Sequence, residues 1–299
     1  MSLLSLGAAT VREVFEPAFL SPVRSNQPYR VVFDAFERDR TACLLVTHPS
    51  TGKLQGVYTA RDVLRKLAEH PIPGDADAQV HDYMRTNPVA LTLDDLFIDV
   101  GKLMVGKGFR HVPLIQPGDP PYDDNGIPVG LARLEIWMKV AFDALGEADR
   151  EALSKVGQAE IVTNPMVTAD EGDSVKSALD RMLTRKTPVG AVAVTRGGAL
   201  VGVLSEQDLT LEVARRMIVD LEDRWDDPIK HYASKEVFWL PESATALDIL
   251  DLMMDRRLAR VPIAREGENG LEAVKMVSTR RLLPQILKIM EPGFSPPGR

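Results

Sequence analysis

The feature that most constrains this chain is a fourfold repeat with a period of roughly 73 residues. Its clearest copy is GALVGVLSEQDL, Gly198 to Leu209. Ala199 to Leu204 is an apolar run of strand length, with Arg196, Gly197 and Gly198 as turn residues before it and a helix-forming run, Glu206 to Met217, after it. Between strand and helix stand the Ser205 hydroxyl and the Asp208 carboxylate, spaced as in a helix capping box. The same outline returns as GKLQGVYTARDV at Gly52 to Val63, with Thr59 and Asp62 in the two polar places. It returns in worn form as GIPVGLARLEI at Gly126 to Ile136 and EAVKMVSTRRL at Glu272 to Leu282. A period of this length is a supersecondary unit, so the chain divides into four similar units.

Each unit reads strand, helix, strand, strand, helix, with a helical lead-in. In unit one, Thr10 to Phe15 predicts a short helix, Tyr29, Val32, Phe33 and Phe36 mark a longer one, and Thr41 to Thr47 and Leu54 to Tyr58 are strands. Asp62 to Glu69 closes the unit and stops at Pro71 and the Pro73–Gly74 pair. Unit two opens at Val80 to Met84, turns at Thr86, Asn87 and Pro88, and continues with strands at Val89 to Leu91 and Phe109 to Ile115. Asp94 and Asp95 suit a helix start there, and Phe97, Val100, Leu103 and Met104 form its buried stripe. The acidic, proline-rich run Gln116 to Gly126 predicts a solvated loop, and the polar, helix-forming run Gly146 to Gly157 a boundary between two halves. Unit three repeats the opening turn as Thr163, Asn164 and Pro165, with a helix stripe of Val175, Ala178, Leu179, Met182 and Leu183 and a strand from Val189 to Val194. Strands at Val237 to Leu240 and Ala259 to Ala264 flank a helix with Leu247, Leu250 and Met254 inward in unit four. A three-stranded sheet with both helices on one face leaves apolar area uncovered, so such units pair.

Composition narrows the function classes. A net charge of −7 lacks the clustered Lys and Arg of a nucleic-acid surface, although a few local donors can still bind a small anion. No stretch approaches the ~20 apolar residues of a membrane helix, and the amino terminus does not read as a signal peptide, so a soluble cytoplasmic protein is expected. The lone Cys43 predicts a buried thiol. His48, His70, His81, His111 and His231 are scattered without metal-ligand spacing, and no Walker loop, dinucleotide fingerprint or nucleophile elbow occurs. Nothing here predicts catalysis.

The element order, the Asn-Pro turns, the GFRHVPLI and RRLARVPIA strands and the GVYTARD and GVLSEQD hinges resemble cystathionine-beta-synthase-type (CBS) domains. The resemblance covers about Thr10 to Met290 and is weakest in unit one, which lacks the strand proline of Pro113, Pro188 and Pro262. It implies an α+β fold of four CBS repeats, each β-α-β-β-α with a lead-in helix, paired into two Bateman modules. The first pair is residues 1–145 (repeats about 10–72 and 78–145), and the second is 146–299 (about 158–218 and 228–290). Two such modules are expected to form a flat disc, within one chain or through a homodimer. The implied function is regulatory: a stand-alone sensor that requires no cofactor and binds AMP, ADP, ATP, an NAD-type ligand or S-adenosylmethionine in clefts between repeats. Its regulated protein is not identified by the resemblance. The rival reading is a non-catalytic scaffold with vestigial clefts, docking a partner through an exposed helix face.

In this family the hinge hydroxyl contacts phosphate or ribose, and the Asp at the helix start accepts hydrogen bonds from ribose hydroxyls. Carried over by position, the resemblance implies two ribose-capable sites, Thr59 with Asp62 and Ser205 with Asp208. Unit two has Arg133 and Ile136 at these places, with Glu135 one place early, and unit four keeps Ser278 but has Arg281 for the acid. Arg133 and Arg281 would face the shared clefts and meet phosphates, with Arg110, His111 and Arg260 as further candidates. Thr86 and Thr163 would offer hydroxyls to an adenine edge. Each residue also has a plainer role open to it: capping for the hinges, surface ion pairs for the arginines, local turn bonding for the threonines.

Overall fold

The computed structural model describes residues 1–15, 21–39, 41–69, 78–116, 126–161, 166–184 and 189–296. Thr163 with its Asn164–Pro165 turn, Pro188, the Pro71–Gly74 stop and most of the Gln116–Gly126 loop lie outside the described residues.

Every unit is built on an antiparallel hairpin. Cys43–Thr47 pairs with Leu54–Thr59, His111–Gln116 with Ile127–Arg133, Ala191–Arg196 with Ala199–Ser205, and Arg260–Gly267 with Gly270–Ser278. In units one and three the first strand of the hairpin is apolar and buried almost throughout, while the strand after it alternates, as expected for a sheet covered more fully at its centre. In the first three units a short strand joins the hairpin in parallel: Val23–Arg24, Leu91–Thr92 and Thr168–Asp170. Arg85–Thr86, at the start of unit two, then pairs with Gly56 and Val57 and extends the first sheet to four strands.

Such a crossing explains the hinge-strand glycines of units one and three. A Cβ on Gly56 would lie 2.7 Å from the Arg85 carbonyl oxygen, and one on Gly202 would lie 2.8 Å from that of Ser234. The chain leaving one unit passes directly over the glycine of that unit. At the fourth position Lys275 instead donates from Nζ to the Gln158 carbonyl at 3.3 Å.

Sheets and helices find different partners. Cys43, Leu45 and Leu54 of unit one pack with Ile115 and Leu131 of unit two, and Ala193 and Leu200 of unit three with Ala264 of unit four. The helices reach further along the chain. Phe33, Phe36, Leu64 and Leu67 of unit one share a core with Leu179, Met182, Val213 and Met217 of unit three. Phe97, Trp137 and Met138 of unit two share another with Ile249, Leu250, Leu283 and Leu287 of unit four, joined by Leu3 and Leu6. Both apolar faces of each unit are thereby covered inside one chain.

Several local expectations are corrected. The run Val237 to Leu240 supplies one bridge, Leu240 to Ile263, rather than a strand, with Pro241 directly after it. The strand expected at Val89 to Leu91 is Leu91–Thr92, beyond Pro88. Other expectations agree with the structure: unit two opens with a 3₁₀ turn, Val80–Asp82, and the helix-forming run after Leu145 is the helix Glu147–Ser154, anchored by buried Leu153. The hinge helix of unit three is not uniform: after Glu206–Asp208 it widens to a π-helix over Leu209–Ala214 before ending as Arg215–Ile218. Thr210 Oγ1 lies there 2.8 Å from the Glu206 carbonyl and 3.3 Å from that of Ala60 in unit one, so the widening sits against the facing helix.

Candidate functional site

The hinge of unit one ends its strand at Thr59 and starts the helix Ala60–Glu69. Asp62 Oδ2 accepts from the Thr59 backbone N–H at 3.1 Å and from its hydroxyl at 2.5 Å, while Thr59 Oγ1 accepts from the Asp62 N–H at 3.3 Å. Asp62 Oδ1 accepts from Arg85 Nε and Nη2, each at 2.7 Å. The Asp62 carboxylate is buried, with both oxygens engaged, whereas the Arg85 side chain is 53% exposed and free to swing toward solvent. Any further pair of donors at Asp62 Oδ1 would have to replace Arg85.

Unit three repeats this arrangement. Asp208 Oδ2 accepts from the Ser205 N–H at 2.8 Å and its hydroxyl at 2.7 Å, and the Asp208 N–H returns to Ser205 Oγ at 3.3 Å. An equivalent box, Thr245 with Asp248, caps the helix Ala246–Arg256, so the bonding pattern is a capping device wherever it occurs. Beside the first hinge there is also an open space.

A cavity of about 320 Å³ opens between the hinge of unit one and the body of unit two, large enough for a small molecule. Thr59 and Arg61 form one wall, and Arg85, Thr86, Phe109, Arg110 and His111 another. Arg280 and Glu206 close its inner end from units four and three. Arg280 Nη1 donates to the Gly108 carbonyl at 2.8 Å, and Arg61 forms a short ion pair with Glu206. A second, tight cavity of about 50 Å³ shares the walls Arg61, Arg110 and Arg280 and adds Arg260, Ser278 and Arg281. The two spaces meet at an arginine-rich centre where all four units converge.

The expected residues divide accordingly. Thr59, Thr86, Arg110 and His111 line the larger cavity, with Asp62 directly behind Thr59, and Arg110, Arg260, Ser278 and Arg281 line the smaller. Arg133 pairs across its hairpin with His111 and lines neither space, and Ser205 and Asp208 likewise lie outside both walls. Desolvation lowers the His111 pKa to about 4, against the pull of Glu135 and with help from Arg110 and Arg133, so this ring is neutral near pH 7. Burial also lowers Arg260 to about 9, aided by Arg110 and Arg61 and opposed by Glu206 and Glu135. Cys43 borders the larger cavity, and burial pushes its thiol well up.

Arg61, Arg85, Glu206 and Arg280 were not picked out by sequence reasoning. Arg61 and Glu206 lie inside the very hinge motifs that were read, yet only the packing of unit one against unit three brings them together. Among the described residues no group of His, Cys, Asp and Glu could hold a metal ion, and no helix is long and apolar enough to cross a membrane.

The sequence pattern of the CBS domain matches residues 80–135, 159–215 and 229–288, more than half of the chain, leaving unit one unmatched. A Methanocaldococcus jannaschii protein is 26% identical over 163 residues, 52% of this chain and 54% of its own length. A CBS domain-containing protein of Arabidopsis thaliana is 25% identical over 278 residues, 82% of this chain and 48% of its own. The chain thus spans about half the length of the curated relatives it matches. The crystal structure of the M. jannaschii protein, described as a proposed archaeal homolog of g-AMPK, superimposes with a TM-score of 0.75 at 14% identity, covering 92% of this chain and 99% of that one.

Proposed function

Because the chain belongs to the CBS-domain family, we propose that it is a non-catalytic regulatory protein that binds an adenosine-containing ligand, AMP, ADP or ATP, in the cleft between units one and two. On this reading the four units are four CBS repeats, paired as residues 1–145 and 146–299 into two modules. The cleft of about 320 Å³ beside Thr59 is the observation that carries it. A ribose placed at the hinge exchanges its hydroxyls for Arg85 at Asp62, while its phosphate lies toward Arg61 and Arg110. Thr86 and Phe109 border the part left for the base. Ser205 with Asp208 forms the matching hinge of the second module. Ligand binding acts by favouring one arrangement of the modules over another, to the extent that the two arrangements bind it differently. The helix faces that a scaffold would offer to a partner are already buried in the two shared cores.

A thermal-shift panel of adenosine, AMP, ADP, ATP, NAD and S-adenosylmethionine tests the reading on wild type and on Asp62→Asn and Asp208→Asn. A ligand at ~100 times its dissociation constant stabilises the native state by ~2.7 kcal/mol. The expected result is a clear upward shift with an adenosine ligand that Asp62→Asn abolishes. No shift with any of the six, in protein that melts cooperatively, refutes the sensor.

A further inference from the structure

At the inner end of the open cleft, the cation best placed for a ligand's phosphate already holds an anion. Arg61 borders both cavities, and its guanidinium closes on Glu206, which comes from the other half of the chain. Glu206 is buried, 8% exposed, yet lines the larger cavity. A second arginine lies nearby. A Cβ added at Gly190 would fall 2.1 Å from Arg260 Nη2 and 3.0 Å from Glu206 Oε2, so the guanidinium and the carboxylate both lie against the bare backbone of that glycine, near enough to feel each other's charge. Glu206 thus pairs with Arg61 and has Arg260 near it, with Arg110 bordering both cavities. The counterpart of Glu206 in the hinge of unit one is Ala60, so the repeat itself does not require an acid here.

We propose that Glu206 is a built-in competitor for the ligand's phosphate: its carboxylate occupies Arg61 in the empty cleft, and an anionic ligand binds by displacing it. This rests on the nucleotide reading of the cleft and adds a rule for ligand charge. A neutral nucleoside leaves the pair intact. A phosphate takes Arg61 and leaves Glu206 to Arg260, so part of the attraction it gains is offset by the attraction it breaks. Because the pair also ties unit one to unit three, phosphate occupancy and that tie oppose each other, and the coupling is reciprocal.

Isothermal titration with adenosine, AMP and ATP on wild type, Glu206→Gln and Arg61→Gln separates the possibilities. Glu206→Gln is expected to tighten ATP by about tenfold or more, AMP by less, and adenosine by less than about twofold. In Arg61→Gln the ATP-to-adenosine affinity ratio is expected to fall by about tenfold or more, because the phosphates lose the cation they would take while the Glu206 carboxylate stays beside them. This second variant decides the matter even if Glu206→Gln does not fold. Equal changes for all three ligands in Glu206→Gln, or an unchanged ratio in Arg61→Gln, overturn the proposal while leaving the cleft a nucleoside site. Failure of wild type to bind adenosine, AMP and ATP alike overturns the nucleotide reading, and the competitor falls with it.

Discussion

Acid should destabilise this protein through His111, a half-buried ring in the wall of the cleft that desolvation keeps from charging easily. The folded-state pKa of about 4 lies well under the ordinary value of 6.5. A base whose pKa is lowered by folding holds its proton more weakly in the native state than in the unfolded chain. The unfolded state therefore takes up more protons below pH 6.5, and unfolding becomes easier as the pH drops. The contribution of His111 is complete above about pH 6.5 and is lost progressively down to about pH 4. At about 1.4 kcal/mol per pKa unit, the full loss is about 3 kcal/mol, a large share of a typical domain's stability. Urea unfolding of wild type and His111→Gln at intervals from pH 7.5 to 4 measures it, since carboxylate titrations common to both proteins cancel in the difference. The wild type is expected to lose about 3 kcal/mol relative to the variant over that range. A difference that stays constant with pH would refute the reasoning, for it would mean that water reaches the ring in the folded protein.

Two further substitutions probe the packing that holds the cleft. Trp137 is fully buried, stacks on Phe97 at a centroid distance of 4.7 Å and donates its indole N–H to the Phe97 carbonyl at 2.9 Å. Trp137→Phe leaves a void and removes the indole's bond to a carbonyl at the start of the helix Phe97–Lys107, and equilibrium unfolding should show a loss of about 2–4 kcal/mol; under 1 kcal/mol would mean that the core closes over the gap. Gly56→Ala puts a methyl 2.7 Å from the Arg85 carbonyl oxygen and should cost about 1–3 kcal/mol while shifting the strand that carries Arg85 and Thr86. An unchanged denaturation midpoint would show that this strand is not seated on the glycine.

What could be read in the sequence was local. The hairpins and the capping boxes at Thr59–Asp62 and Ser205–Asp208 depend on residues within a few positions of each other, and alternation, glycine turns and hydroxyl-acid spacing report them directly. The strand expected before Pro241 and the uniform helix expected after Ser205 differ in the structure because tertiary packing decides each: a single bridge to Ile263 in one case, and the Ala60 carbonyl across from Thr210 in the other. The site was half legible. Thr59, Thr86, Arg110 and His111 were found by their place in the repeat. Arg85 at Asp62 and Glu206 at Arg61 were not, because a charge pair joining residues 145 apart leaves no periodic trace.

The crossing of the two helix cores between halves of the chain also dictates an order of events during folding. Thr210 meets Ala60 across 150 residues, and the core around Trp137 waits for Leu283 and Leu287 near the far end of the sequence. Hairpins within a unit close short loops and should form early, whereas these cores close loops that are entropically costly and slow to find. During synthesis, units one and two therefore emerge with their apolar helix faces still unmatched. Only the arrival of units three and four covers them, so the first half of the chain is the part most in need of protection before the last helix is made.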